Sequence, residues 1–424
     1  MASMKDKHGR PVVVVTGMGV VTSLGQGKDE NWAKLTAGQS GIHTITRFPI
    51  DGLRTTIAGT VDFVPFENAP DLTTKMAALA GEEAVAEARI GEAGAFPGPL
   101  FLGMPPVEIE WPQRQDLARA SGKSSDITYS DLLKGAAAKD FAAMQKRFLF
   151  GSVGDQLADR FGTRGAPISI STACATGATA IQLAVEAIRR GETEAALVVG
   201  ADGSANQESL VRFSLLSALS TRNGEPAAAA RPFAKDRDGF VMAEGAGALV
   251  LESYEHAKAR GATILGVVEG CGEMADSFHR TRSSPDGAPI IGCIRNALED
   301  AGVTPADVQY VNAHGTSTPE NDKMEYVGLS SVFGDHLSNI AVSSNKSMIG
   351  HTLSAAGAIE AVFTLMTIRS GVIPPTINQT EADPAIKLDL VPNVARKAKV
   401  TRAISNSFGF GGQNVCLVLA AEPV

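Results

Sequence analysis

Aromatic residues are scarce in this 424-residue chain, at 5% of the whole with 2 tryptophans and 4 tyrosines. A core built on large rings is thereby excluded. The 44 glycines point instead to tight turns and close backbone contacts. No apolar run approaches the roughly 20 residues of a membrane span. Residues 1–10 are polar and mixed in charge, without the apolar centre of a secretory signal, so the cytoplasm is the expected compartment. The four cysteines, Cys174, Cys271, Cys293 and Cys416, show neither C-x-x-C nor metal-ligand spacing. They are expected as free thiols, with no metal bound. The net charge is −8, and no basic block suits nucleic acid or an anionic membrane.

What is present is an even alternation of apolar runs and helical patterns, which argues for a layered α/β architecture. The length allows two or three ordinary domains or one large duplicated unit. Four consecutive valines, Val12 to Val15, mark a buried strand over 11–16, after which Gly17, Met18 and Gly19 are expected to turn the chain. The third glycine of a dinucleotide fingerprint would fall at Thr22, so a tight turn is read here and not a nucleotide site. A helix is expected over 71–88, a strand over 166–171, a helix over 177–190 and a strand over 194–200. The cycle restarts near 263 with a strand over 264–269, a helix over 288–301 and a strand over 308–312. A helix over 352–370 and a hairpin over 401–419 follow. The restart divides the chain into halves 1–262 and 263–424. Between about 105 and 145 the pattern breaks around Trp111, Pro112 and many polar residues. This is read as an excursion, partly helical at its end, that either contacts substrate or a partner or is a solvated insertion.

Four segments can carry chemistry. In PISISTACATG (167–177), Cys174 sits where a strand turns into a helix. Unpaired N–H groups and the helix dipole there favour its thiolate, and small neighbours leave room for a thioester. In YVNAHGTSTP (310–319), His314 leaves a buried strand for a loop, the usual place for ligand contact in α/β sheets. Thr316 and Thr318 offer hydroxyls to a polar linker. In SSNKSMIGHTLSAA (343–356), His351 faces a helix start, which disfavours imidazolium and leaves a neutral Nε2–H donor. Lys346 either anchors this loop through a carboxylate such as Glu360 or is a surface lysine. In SNSFGFGGQN (405–414), glycines frame Phe410, suited to gate a tunnel and to offer its N–H to an oxyanion, or simply part of a glycine-rich hairpin.

In this order the segments resemble the β-ketoacyl-acyl-carrier-protein synthases of the thiolase superfamily, in particular the elongating type of fatty-acid synthesis. The likeness runs from VVVTGMGVVTSLG through RPFAKDRDGFVMAEGAGALVLE (231–252) to SFGFGGQN. It implies a thiolase-like duplicated α-β-α-β-α fold, a homodimer, and decarboxylative condensation of an acyl group with malonyl-acyl-carrier-protein. By the same resemblance Cys174 accepts the acyl group, while His314 and His351 bind the malonyl thioester carbonyl. Lys346 supports them with Glu360 behind it. Phe213, Phe408 and Phe410 border the substrate, with Phe410 as gate, and Thr316 and Thr318 line the pantetheine channel. The partner implied is an acyl carrier protein bearing acyl and malonyl phosphopantetheine, and no cofactor is required. Because such carriers are acidic, docking calls for a local basic patch, for which Lys75, Arg212 and Arg222 are candidates. The sequence departs from the family pattern over 100–150, as would suit a paralogue for long acyl chains. Alternatives are a polyketide or lipid-specific ketosynthase, a coenzyme A-dependent thiolase, which would need a second catalytic cysteine where Cys416 stands on an apparent strand, and a non-catalytic partner subunit.

Overall fold

The computed structural model describes residues 4–138 and 141–422. The first three residues of the polar N-terminus, Lys139 and Asp140 of the excursion, and the last two residues lie outside them. Ten principal strands follow in chain order: β1 (Val13–Thr22), β2 (Leu100–Gly103), β3 (Ile168–Ile170), β4 (Ala195–Asp202), β5 (Gly245–Ser253), β6 (Gly266–Ala275), β7 (Tyr310–Asn312), β8 (Ala341–Ser343), β9 (Arg402–Phe408) and β10 (Gln413–Ala420). They form one hydrogen-bonded array in the order β8-β7-β9-β10-β6-β1-β5-β4-β2-β3.

The array is a duplication. In the first half β2 runs parallel to β3 and β4, whereas β4–β5 and β5–β1 are antiparallel. In the second half β7 runs parallel to β8 and β9, whereas β9–β10 and β10–β6 are antiparallel. Each half therefore reads third-second-fourth-fifth-first in its own strands. The halves join where β1 meets β6, through Val13–Val268, Val14–Val267 and Val15–Gly266.

Helices stack around this array. Helix α1 (Ala69–Ala88) covers β1, β4 and β5; after the excursion helices α2 (Trp111–Ala120) and α3 (Tyr129–Ala138) comes α4 (Phe150–Phe161), which packs on α1. Helix α5 (Thr176–Arg189) lies between the half-sheets, touching β2 and β4 on one side and β10 on the other. After α6 (Gln207–Leu215), helix α7 (Ala288–Ala301) covers β6 and β10 and carries α8 (Pro319–Phe333). Helix α9 (Ala356–Ser370) shares the middle layer with α5, between β5 and β9. The layers are thus α-β-α-β-α. A helix walled in on all sides must be apolar all round. Helix α9 obeys this with one buried charged exception, Glu360, and two buried threonines, Thr364 and Thr367, whose hydroxyls bond the helix's own carbonyls.

The two middle helices cross where neither has a side chain to separate them. A Cβ on Gly177 would stand 2.6 Å from the Ala358 nitrogen, and one on Gly357 would stand 2.5 Å from the Ala178 nitrogen. This contact brings together the chain segments that precede α5 and α9.

The turn expected at Gly17 to Gly19 is not there: β1 runs straight through it to Thr22 with one register shift after Val15. The glycines serve packing. A Cβ at Gly17 would lie 2.0 Å from the Ala84 carbonyl oxygen and one at Gly19 2.0 Å from that of Ala80, so both let α1 settle on the strand backbone. The excursion is more helical than expected, with Pro112 in the first turn of α2, a position where its missing N–H costs nothing. No helix among the described residues is long and apolar enough to cross a membrane.

Candidate active site

The duplication places equivalent loops side by side. Cys174 follows β3 and His351 follows the equivalent strand β8; His314 follows β7, and Phe408 ends β9. All four leave the carboxyl ends of parallel strands, where α/β sheets open a crevice. The Cys174 sulfur and one nitrogen from each of His314 and His351 lie within 4.8 Å of one another.

Cys174 is set by a strained turn. Ala173 has a left-handed backbone, with φ of 50°, which costs a residue that has a Cβ. The Thr176 hydroxyl pins this turn, accepting the Thr172 N–H at 2.8 Å and donating to the Ala173 carbonyl at 2.5 Å. Cys174 stands two residues before α5, as the sequence suggested. Its thiol, however, is not activated at rest. Burial pushes it up to about 11, against the opposing pull of the Phe410 N–H and the Lys346 charge. The helix start is outweighed because the sulfur is enclosed by protein and the thiolate would lose its hydration.

Both histidines are held as neutral donors. The Leu353 N–H donates to His351 Nδ1 at 3.3 Å, so the proton resides on Nε2, which has no partner among the described residues. The Lys346 ammonium lies 3.4 Å from His314 Nδ1 and fixes the same tautomer there. Burial, followed by the Lys346 charge, holds both imidazoles well below their ordinary range. Lys346 is itself buried and paired with Glu360, which joins the two residues that the sequence had linked only as one option. Three ligand-type atoms so close would suit a soft cation by geometry, yet the ammonium beside His314 opposes one electrostatically.

Sequence reasoning missed two supports. The Glu325 carboxylate accepts the His314 and Gly315 N–H groups, each at 2.8 Å, and the Asn406 amide at 3.1 Å. It sits on α8, and a buried acid on that helix face was the available signal. Phe240 packs edge-on against His351 at 5.4 Å, and Phe213 packs on Phe240 at 5.3 Å. Phe408 lies 5.8 Å from His314.

Two cavities meet at Cys174. The first, about 510 Å³, runs from Cys174 to residues 104–110. The second, about 530 Å³, runs past His314, His351, Thr316 and Thr318 to Arg280, Arg282 and Lys323. Phe213 and Phe410 line both, at the border. The Thr316 and Thr318 hydroxyls bond each other at 2.9 Å. The docking candidates fare differently: Lys75 pairs with Asp71, Arg212 with Glu108 and Arg222 with Asp236, so each is already neutralised. Arg280, Arg282 and Lys323 have no ion pair among the described residues. Cys416 lies opposite Asn406 in the β9–β10 ladder, enclosed with Cys293 in an apolar cluster, and does not join the site.

Fold and site together define a thiolase-like α/β protein in which a buried cysteine and two neutral imidazoles meet. The β-ketoacyl synthase N-terminal domain matches residues 10–85 and 118–257, and the C-terminal domain of the same family matches 265–380. The chain belongs to the β-ketoacyl synthase family. Among its relatives is the 3-oxoacyl-[acyl-carrier-protein] synthase 2 of Coxiella burnetii, 38% identical over 96% of this chain and 98% of that one. The enzyme of the same name from Vibrio harveyi is 39% identical over 96% and 97%. A type II polyketide ketosynthase solved with its acyl-carrier protein superposes with a TM-score of 0.86 at 33% identity, covering 97% and 100% of the two chains. A β-ketoacyl synthase from Burkholderia phymatum gives 0.81 at 32%, with the same coverage. The family match is interrupted over 86–117 and resumes at 118. The departure expected over 100–150 is thus confined to its front part.

Proposed function

We propose that this chain lengthens an acyl group by decarboxylative condensation with malonyl-acyl-carrier-protein, the reaction type for which its 3-oxoacyl-[acyl-carrier-protein] synthase relatives are named. The observation that carries the reading is the meeting of a cysteine sulfur and two imidazole nitrogens within 4.8 Å, at the junction of two cavities. Cys174 attacks the acyl thioester, and its proton leaves with the departing carrier thiol. The N–H groups of Cys174 and Phe410 receive the oxyanion, and the chain enters the first cavity.

Malonyl-carrier then occupies the second cavity, its arm along Thr316 and Thr318. The Nε2–H groups of His314 and His351 donate to the malonyl thioester oxygen. Loss of carbon dioxide leaves its bonding electrons as an enolate, whose charge these donors stabilise more than they stabilise the ground state. The enolate carbon attacks the acyl carbonyl, the C–S bond to Cys174 breaks with its electrons on sulfur, the thiolate regains a proton from solvent, and the β-ketoacyl thioester departs on the carrier. Lys346, held by Glu360, keeps His314 Nδ1 an acceptor throughout. Phe410 moves to admit the chain. The working unit is a homodimer in the cytoplasm, each copy divided near residue 262.

Mass spectrometry of the intact protein tests the reading. An acyl adduct on Cys174 is expected, and none in Cys174→Ala. Cys174→Gln should lose condensation and still release carbon dioxide from malonyl-carrier. A wild type that turns over no malonyl substrate would sink the scheme. The likeness to a polyketide ketosynthase favours a second reading, repeated condensation without reduction. Products longer by several unreduced units in a single reaction would select it.

A further inference from the structure

The far wall of the first cavity, residues 104–110, falls within the interruption of the family match. Most of that wall is apolar, through Met104, Val107 and Ile109, as a hydrocarbon tail requires. Glu108 in the same stretch is exposed and paired with Arg212, whereas Glu110 is a buried exception. It is 7% exposed, and burying a carboxyl group along a hydrocarbon path costs free energy unless a partner compensates it.

One half of the group is accounted for. Oε1 accepts the Ala69 N–H at 2.6 Å, at the start of α1, and the Asn206 amide at 3.3 Å. Asn206 is in turn fixed by the Ser209 N–H, which donates to it at 2.9 Å. Oε2 takes no hydrogen bond among the described residues. It is also absent from the sealed, unpartnered atoms of the interior, so it keeps some accessible surface, and Glu110 lines the first cavity. A purely structural cap of α1 needs one oxygen. The second is a free acceptor on a residue that lines the cavity. Burial, with the negative charge of Glu208 adding to it, raises the carboxyl above its usual range, which marks the group as short of hydrogen-bond donors.

We propose that Glu110 is a specificity residue for the acyl group: its Oε2 accepts a hydrogen bond from a hydroxyl carried along the chain, so hydroxylated acyl groups are preferred to plain ones of equal length. A plain chain would leave this acceptor buried and unpaired, and discrimination of that kind is steep. The inference rests on the reading that Cys174 carries the acyl group and the first cavity holds its tail.

The experiment measures initial rates of Cys174 acylation by mass spectrometry, using carrier-bound chains in pairs with and without a hydroxyl. The hydroxyl is moved stepwise along the chain. Wild type is expected to favour the hydroxylated partner about tenfold or more within one window of positions. In Glu110→Leu the ratio should fall to about one, with the plain chain faster than in wild type. Loss of the α1 cap alone would slow both partners together, so the ratio is the diagnostic quantity. Glu110→Gln keeps an oxygen for Ala69 and serves if the leucine variant does not fold. Its ratio should drop several-fold as a charge-assisted bond becomes a neutral one. A wild-type ratio near one at every position, or a ratio unchanged in the variants, overturns the proposal. Absence of any acyl adduct with any chain would instead defeat the underlying reading of Cys174.

Discussion

At the scale of single residues, the site depends on burial more than on local sequence. Burial sets Cys174 at about 11, so its thiolate fraction should rise tenfold per pH unit up to that value. Alkylation of Cys174 by iodoacetamide is therefore expected to accelerate with unit slope from pH 7 to 10. A plateau below pH 8 would show that the helix start wins after all. Both imidazoles are held neutral well below 6.5, so malonyl decarboxylation by Cys174→Gln should be flat between pH 6.5 and 8. Glu325 gives a stability signature. Burial raises it to about 7 from an ordinary 4.5. The folded state thus keeps a proton that the unfolded state releases, and stability must fall as pH climbs from 4.5 to 7. Relative to Glu325→Gln, urea unfolding of wild type should lose about 3 kcal/mol across that window. Parallel curves for the two proteins would refute the assignment. That Cys174, His314 and His351 would meet was legible because each stands just beyond a strand end. Glu325 and Phe240 were not, since nothing local tells a buried support from an ordinary helix or core residue.

At the scale of elements, the crossing of α5 and α9 fixes the distance between Cys174 and His351. Gly177→Ala or Gly357→Ala would place a Cβ within about 2.6 Å of backbone, and the helices would have to part. Overpacking of this kind costs about 1–3 kcal/mol. If Cys174 and His351 act as proposed, condensation should fall by much more than the stability loss explains, because both stand just before the helices that separate. Comparing turnover with unfolding midpoints for both variants checks this; full activity in a destabilised protein would disconnect the crossing from the site. Gly17 and Gly19 carry a related lesson. Two glycines one residue apart read as a turn, yet a strand uses them when a helix must lie on its backbone. The two meanings are identical in sequence and differ only in what stands opposite, here Ala80 and Ala84 of α1.

At the scale of the whole molecule, the duplicated third-second-fourth-fifth-first order sets two half-sheets face to face around a shared helical layer. The crevice at their carboxyl ends gathers residues from positions 174, 314 and 351. Its outer mouth is basic where Arg280, Arg282 and Lys323 line it, in a chain of net charge −8. Reversing Arg280 and Arg282 to glutamate should raise KM for carrier-bound substrate about tenfold at low salt while sparing kcat, an effect that fades as salt rises. Equal KM values at low salt would place docking elsewhere. The strand–helix alternation, the cysteine and histidines beyond strand ends and the break near residue 105 were all determined by the sequence alone, because each is written in local pattern. Only the tertiary structure decided which strands pair, that Cys174 rests as a thiol, and that Glu110 is buried in the wall of the first cavity. Those outcomes depend on which groups distant in sequence exclude water from one another, and no local pattern records that.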